Sequence, residues 1–446
     1  MHISESSILF GWNPLWVASI LFVSTYLVIM SEKINRAIIA LFGAGLMILT
    51  GVLNQQAAVR GIDFNTLGLL IGMMVIVAIT RKTGVFQYVA IWSAKKVKAQ
   101  PWGIILMLSL VTAVFSALLD NVTTVLLVAP ITLLITEELN VKPYPYLFST
   151  IFAANIGGTA TLIGDPPNIM IGSATNLTFN DFALNLAPII AVIFAATLIP
   201  IYLIWRKDFT ASEEARMRVM NFNENEAITE PGLLKQSLFV LALVIGGFIF
   251  AHPLHMEPAT IAMFGAALLL LLENVIHHPE HQSKNVHHAF TEVEWITIFF
   301  FVGLFILVYG IEEAGLIKMM ADHLLSLTHG NMVTTAMAVL WGSAILSALV
   351  DNIPFVATMI PLIKSMAPAF GGPENLTPLW WSLALGACLG GNGSLIGASA
   401  NLVVAGFAER AGHPIRFVPF LLIAFPLMLM SIAISSVYIY FRYLYH

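Results

Sequence analysis

The sequence predicts an all-α polytopic membrane protein made of two inverted repeats, each of about five transmembrane helices with a re-entrant hairpin and a broken helix. Three observations predict it. Of 446 residues, 58% are hydrophobic and 10% charged, with a mean hydropathy of +0.87, whereas soluble domains carry about 25% charged residues. Apolar runs near the roughly 20 residues needed to span a bilayer recur along the whole chain. The second half also repeats the motifs of the first. The net charge of −5 is small and the basic residues lie between apolar runs, which excludes nucleic acid as a partner. The single cysteine, Cys388, excludes an internal disulfide framework and any multi-cysteine metal site. The N-terminal stretch lacks the basic region of a signal peptide, so it reads as a short tail before an uncleaved first span.

In chain order, apolar runs fall at about 15–31, 36–53, 65–80, 145–173 and 183–205, then at 237–252, 258–275, 295–311, 379–408 and 417–441. The runs at 145–173 and 379–408 are interrupted by glycine, and the first also by proline, residues that helix interiors tolerate at about 1 and 3 kcal/mol. Two apolar pairs, 102–119 with 122–136 and 333–350 with 353–367, are each joined at an Asp-Asn and read as hairpins. Between the halves, 206–235 is polar and charged, a linker too short to be a domain. The tract HHPEHQSKNVHH, 277–288, has the side chains to bind a metal, but a solvated loop is the favoured reading.

The duplication is detailed. SALLDNVTTVLLVAPI (116–131) matches SALVDNIPFVATMIPL (347–362) at 7 of 16 positions, and GGTATLIGDPPN (157–168) matches GGNGSLIGASAN (390–401) at 6 of 12. Gly72 and Gly84 map onto Gly303 and Gly315. Such repetition marks an internal duplication. With the hairpins returning to the side they enter from, each half has five crossings, so the second copy is upside down, an arrangement recurrent in secondary transporters. Sixteen of the 20 Lys and Arg residues then fall on the side opposite the N-terminus. The positive-inside rule makes that side the cytoplasm, with both termini outside and the repeats at 1–205 and 236–446.

The chemistry is expected at the interruptions. Gly157, Gly158, Gly164, Pro166 and Pro167 unwind one crossing helix, and Gly390, Gly391, Gly393 and Gly397 the other. Unwound backbone at membrane depth is tolerated only where protein buries it or a watery cavity receives it. Asn155, Thr159, Thr161, Asn168, Asn392, Ser394, Ser399 and Asn401 add neutral hydrogen-bonding groups. The hairpins bring in Asp120-Asn121 and Asp351-Asn352, and ionisable groups inside membranes are functional candidates by default. Asp120 and Asp351 are therefore the expected proton carriers. Asp165 stands where the second copy has Ala398, so it carries asymmetry between the repeats. Surface loops and surface turns between full spans are the bland alternatives. Repetition of the same break in both halves argues against the first.

LDNVTTVLLVAP, NIGGTATLIGDPPNIMI, DNIPFVATMIP and LGGNGSLIGASANLVVAG resemble the motifs of the ion transporter superfamily, in its arsenite permease, P-protein and citrate-transporter-like branch. The resemblance covers nearly the whole chain. It implies ten spans, two re-entrant hairpins, a scaffold with a moving transport domain, and often a dimer. Substrates within the group include arsenite and antimonite, sodium exchanged for protons, and dicarboxylates. The Ser-Asn-Thr signature of the sodium–dicarboxylate branch is absent from both hairpin tips, which read Asp-Asn-Val and Asp-Asn-Ile.

The predicted cavity holds up to three acids and no arginine, which suits a proton, a sodium ion or a neutral solute exchanged for protons. Arsenite near neutral pH is largely an uncharged trihydroxide. No phosphate-binding loop G-x-x-x-x-G-K-[ST] occurs in the chain, so it does not itself burn ATP, although family arsenite permeases can pair with a soluble ATPase. The expectation is an inner-membrane exporter of arsenite or antimonite driven by the proton gradient, without cofactor or metal. Sodium–proton antiport and anion or dicarboxylate carriage are the runners-up. An intramembrane aspartyl protease would need its two carboxylates to share a proton and leaves the helix breaks unexplained. A passive channel would differ by building no solute gradient.

Overall fold

The computed structural model describes residues 8, 11–31, 33–175, 177–275 and 278–445. Residues 1–7 of the N-terminal tail and His277 of the histidine tract lie outside the described residues. The described chain is helical without a strand, and eight of its helices are long and apolar enough to cross a membrane. In lipid a helix satisfies its own backbone groups, and starts are capped by short polar side chains. Asn13, Asn35, Asp63 and Asn331 each accept a hydrogen bond from the first turn of the helix that follows.

The two halves correspond element by element. Phe64–Lys82 is matched by Trp295–Glu313, the hairpin arms Pro101–Leu118 and Asn121–Glu138 by Met332–Leu349 and Asn352–Ser365, and the broken helix Tyr144–Gly158/Pro166–Ala174 by Thr377–Gly390/Ser399–Arg410. Even the prolines inside the return arms, Pro130 and Pro361, match.

Outside the hairpins and broken helices, four helices form a frame by exchange between the halves. Phe64–Lys82 packs on Pro258–Asn274, and Trp295–Glu313 on Arg36–Leu49. A Cβ on Gly72 would lie 2.6 Å from the backbone carbon of Ala262, and one on Gly303 would lie 2.5 Å from that of Ala40. Glycine is therefore required at both crossings, because any side chain would meet backbone that cannot yield. Phe64–Lys82 runs parallel to its partner, since Asn65 bonds Ala259 at one end and Lys82 bonds Glu273 at the other. Trp295–Glu313 runs antiparallel to Phe64–Lys82, since Arg81 pairs with Glu292 and Gly61 abuts Tyr309. Its own parallel partner is Arg36–Leu49, with Arg36 at Phe300 and Met47 at Gly310. Arg36–Leu49 therefore runs opposite to its counterpart Pro258–Asn274. The copy is turned over.

Among the short helices that escaped the sequence reading are two that match each other. Val85–Lys96 and Leu316–Leu327 each follow a glycine with positive φ, Gly84 at 76° and Gly315 at 87°. The left-handed backbone there is open to glycine without steric cost. The 206–235 linker is also more ordered than its composition suggests. It contains the helix Glu213–Met220, capped by Ser212, and is clamped to the first half. Lys95 Nζ donates to Phe222 O at 2.9 Å and to Glu224 at 2.5 Å, a bond that holds the Glu224 carboxyl below its usual range. A Cβ on Gly84 would overlap Ala227 O, so this glycine also lets the linker lie flat. The histidine tract, expected as a loop, is the helix Pro279–Thr291. Among the described residues no group of three or more His, Cys, Asp or Glu could hold a metal ion.

Candidate transport site

Each hairpin tip divides labour between its two residues. The aspartate caps the return arm: Asp120 accepts from Thr123 N at 2.7 Å and Thr123 Oγ1 at 2.5 Å, and Asp351 accepts from Ile353 N at 3.2 Å. The asparagine reaches outward to a broken helix. Asn121 Nδ2 donates to Asn155 Oδ1 at 3.2 Å, and Asn352 Nδ2 lies 3.4 Å from both carboxylate oxygens of Asp165. Asp120 and both asparagines are buried. These are not surface turns.

The breaks are stitched to their own hairpins by matched bonds. Ser116 Oγ donates to Ala154 O and Ser347 Oγ to Ala387 O, both at 2.6 Å. Thr161 Oγ1 donates to Ala117 O and Ser394 Oγ to Ala348 O, both at 2.5 Å. Asn168 Nδ2 donates to the carbonyls of Thr159 and Thr161, and Asn401 Nδ2 to those of Gly391 and Ser394. Carbonyls freed by unwinding are thus largely claimed by the protein's own amides, as buried backbone requires. Thr159 turns its hydroxyl back to Asn155 O.

The glycines contribute closeness rather than unusual dihedrals. Gly157, Gly158 and Gly390 still belong to helices, and the first unwinding begins at Thr159. None of the break glycines has positive φ. Added Cβ atoms would meet backbone: Ala113 O at 2.2 Å from Gly157, Gly164 O at 2.5 Å from Gly158, and Ala344 O at 2.6 Å from Gly390. Gly164 and Gly397 close on the same segments from the other side, while Gly393 faces Ala348. Pro166 and Pro167 start the second half of the first broken helix, with Asp165 in the cap position, where a missing N–H costs nothing.

Two crossing clusters result, equivalent by the repeat but unlike in chemistry. In one, Asp165 meets Asn352, and Cys388 Sγ lies 3.6 Å from Asn168 Oδ1. Asp165 is 1% exposed, and no cation pairs with it among the described residues. In the other cluster, Asn155 takes the place of Cys388 and Ala398 that of Asp165. Asn155 Nδ2 donates to Asn392 Oδ1 at 3.0 Å and Asn401 Oδ1 at 2.9 Å. Three buried atoms here have no hydrogen-bond partner among the described residues: Asn121 Oδ1, Thr124 Oγ1 and Asn392 Nδ2. Orphaned buried polar atoms each call for an explanation, a bound ligand among them.

The expectation of a cavity without arginine is corrected here. Arg36 Nη1 lies 2.5 Å from Asp351 Oδ2 and 2.6 Å from Ser399 Oγ, and Ser399 Oγ lies 2.8 Å from the same carboxylate oxygen. The guanidinium also lies over the Phe300 ring, 5.0 Å from its centroid. These groups form the polar end of a crevice of ≈ 370 Å³, otherwise walled by residues such as Ile29, Leu349 and Val403. Nothing local in the sequence signals this pair, because its members are 315 residues apart. Arg36 looks like any basic residue at a helix start. Thr124 was missed for a similar reason, as one of many threonines in an apolar arm.

Residues 26–386 match the citrate transporter family (CitMHS). An uncharacterized transporter of Mycobacterium tuberculosis is 42% identical over 432 residues, which cover 96% of this chain and 98% of that one. The P protein of Homo sapiens is 31% identical over 508 residues, covering 95% of this chain and 59% of the P protein. Among solved structures, the Alcanivorax borkumensis YdaH transporter, described as having an unusual topology, shares the fold with a TM-score of 0.52 at 14% identity, over 97% of this chain and 99% of that one. An all-α fold of membrane-spanning length and a family match over most of its residues agree: the chain belongs to the citrate transporter (CitMHS) family of the ion transporter superfamily, and it is a multi-pass membrane transporter.

Proposed function

We propose that the protein is a secondary transporter of the inner membrane that exports arsenite or antimonite in exchange for protons. What supports this is that, among the described residues, one buried crossing cluster holds an acid lacking a cation and the other holds amide and hydroxyl atoms lacking partners. A trihydroxide solute offers O–H donors for Asn121 Oδ1 and Thr124 Oγ1, and oxygens to accept from Asn392 Nδ2. Asp165 carries the proton. It is the carboxylate of the three that has neither a cation nor a cap of its own to stabilise the charge, whereas Asp351 is neutralised by Arg36. Proton and solute would then occupy the two crossing clusters alternately.

In this scheme 1–205 and 236–446 act as inverted copies, with 206–235 in the cytoplasm, both termini outside and a homodimer in the bilayer. A soluble arsenite-stimulated ATPase is a further partner to test by co-purification. Sodium–proton exchange is the second reading, supported by the unpartnered oxygens of Asn121 and Thr124, since hard cations take oxygen ligands. Anion carriage draws support from Arg36, although Asp351 already balances its charge. Uptake of arsenite, sodium and citrate into everted vesicles, with and without a proton gradient, tests all three. Arsenite accumulation that requires the gradient is expected; accumulation of sodium alone selects the second reading. Citrate accumulation overturns both.

A further inference from the structure

We infer that Arg36 is a positioning residue that latches the second hairpin to the frame and closes the path from the crevice to the buried clusters. The inference rests on the chain being a transporter, and not on which solute it carries. Arg36 opens the helix Arg36–Leu49, which is locked against Trp295–Glu313 by the Gly303–Ala40 contact. Its guanidinium rests on Phe300, a residue of that same partner helix. On one side, then, Arg36 is held by the frame.

Its other side faces the hairpin body. Asp351 sits at the hairpin tip and Ser399 at the start of the second half of the broken helix. Those two elements are joined to each other by the Ser347 and Ser394 bonds. The Arg36–Asp351–Ser399 contact therefore ties the frame to the tip of the hairpin body, while farther along the return arm the Tyr26 hydroxyl donates to Pro354 O at 2.8 Å. The members of the tip contact are only partly exposed, 26% for the Arg36 side chain and 15% for that of Asp351, where an ion pair with added hydrogen bonds is strong. The phenyl face gives the guanidinium a second resting place, so it stays with the frame when the hairpin departs.

The latch lies on a route. The crevice ends at Asp351, the next residue, Asn352, touches Asp165, and Asp165 faces Cys388. Among the described residues the first hairpin has no such latch: Pro258 occupies the position equivalent to Arg36, and the hydrogen bonds of the Asp120 side chain stay within its own arm. The structure thus assigns hairpin 2 a charge-controlled closure that hairpin 1 lacks.

Cys388, the single cysteine, reports on this closure without engineering. The rate of its alkylation by N-ethylmaleimide is measured on the purified full-length protein in detergent, for wild type, Arg36→Ala, Arg36→Lys and the exchanged pair Arg36→Asp/Asp351→Arg. Arg36→Ala is expected to raise the rate at least tenfold, while Arg36→Lys and the exchanged pair stay within threefold of wild type. An unchanged rate in Arg36→Ala that elutes as wild type on size exclusion overturns the latch. Should Arg36→Ala aggregate, Asp351→Asn, which removes the charge from the other side of the same contact, decides: a tenfold rise upholds the latch, and an unchanged rate overturns it. Failure of arsenite transport leaves this readout untouched, so the two readings fail separately.

Discussion

The two hairpin tips carry the same two residues and are built differently. Asp120 is satisfied inside its own arm by Thr123, and Asn121 reaches a neutral amide. Asp351 has no such threonine, since Phe355 and Pro354 follow where the first copy has Thr124 and Thr123. It takes its support instead from Arg36 and Ser399, and Asn352 reaches a carboxylate. Duplication therefore preserved the turn and its cap while the surroundings divided the roles. One tip faces a neutral pocket with unpartnered atoms, and the other faces an acid on one side and an ion pair on the other.

The largest expected effect tests the shared architecture beneath that difference. Gly158→Leu should abolish transport with membrane insertion intact, because its Cβ would sit 2.5 Å from Gly164 O. Gly391→Leu should be milder, since its nearest contacts are at 3.1 and 3.2 Å. Equal loss in both, measured as initial uptake rates in vesicles, would mean that the breaks are packed alike and that the copies diverge only in side chains.

Next comes Asp165→Asn. Asparagine keeps the shape but cannot titrate, so proton-driven uptake should fall at least tenfold while equilibrium solute binding persists. Normal gradient-driven uptake by this variant would move the proton path to Asp120 and erase the functional contrast between the clusters.

Asp351→Ala should destabilise the protein by roughly 2 kcal/mol, less than the 3–5 kcal/mol for a fully buried pair because both partners are partly exposed. The double variant Arg36→Ala/Asp351→Ala should recover part of that, since no charge is left unpaired. Thermal unfolding in detergent measures both. A double variant as unstable as the single one would show that Arg36 is held by Phe300 alone.

Asp120→Asn should be the mildest, with uptake within threefold of wild type, because asparagine caps a helix as well as aspartate does. A tenfold loss there would show that the first tip also depends on its charge, and the distinction between the tips would fail.

The membrane helices were legible because burying apolar length in lipid leaves an unbroken signature, clear at Trp295–Glu313 and Phe417–Ile439. The hairpins were legible because Asp-Asn interrupts two such runs at matched positions. Val85–Lys96 and Leu316–Leu327 were not, being 12-residue helices that no span-length window selects. The helix Glu213–Met220 was hidden by its polarity, and what orders it is contact with the first half. Thr159, Thr161, Asn168, Ser394 and Asn401 stand at the breaks, and the structure uses them largely to bind backbone. A side chain's partner is not written in its own neighbourhood.

The sequence by itself determined that this chain lives in a membrane, that it is doubled, and where its helices break. Those properties follow from local composition and repetition, and solvent alone enforces them. Tertiary structure decided which of three aspartates is paired, which amides face each other across the repeats, and which glycines meet backbone. Electrostatic compensation and close packing depend on distance in space. Asp351 and Arg36, 315 residues apart in the chain, become neighbours only when the second half folds upside down onto the first.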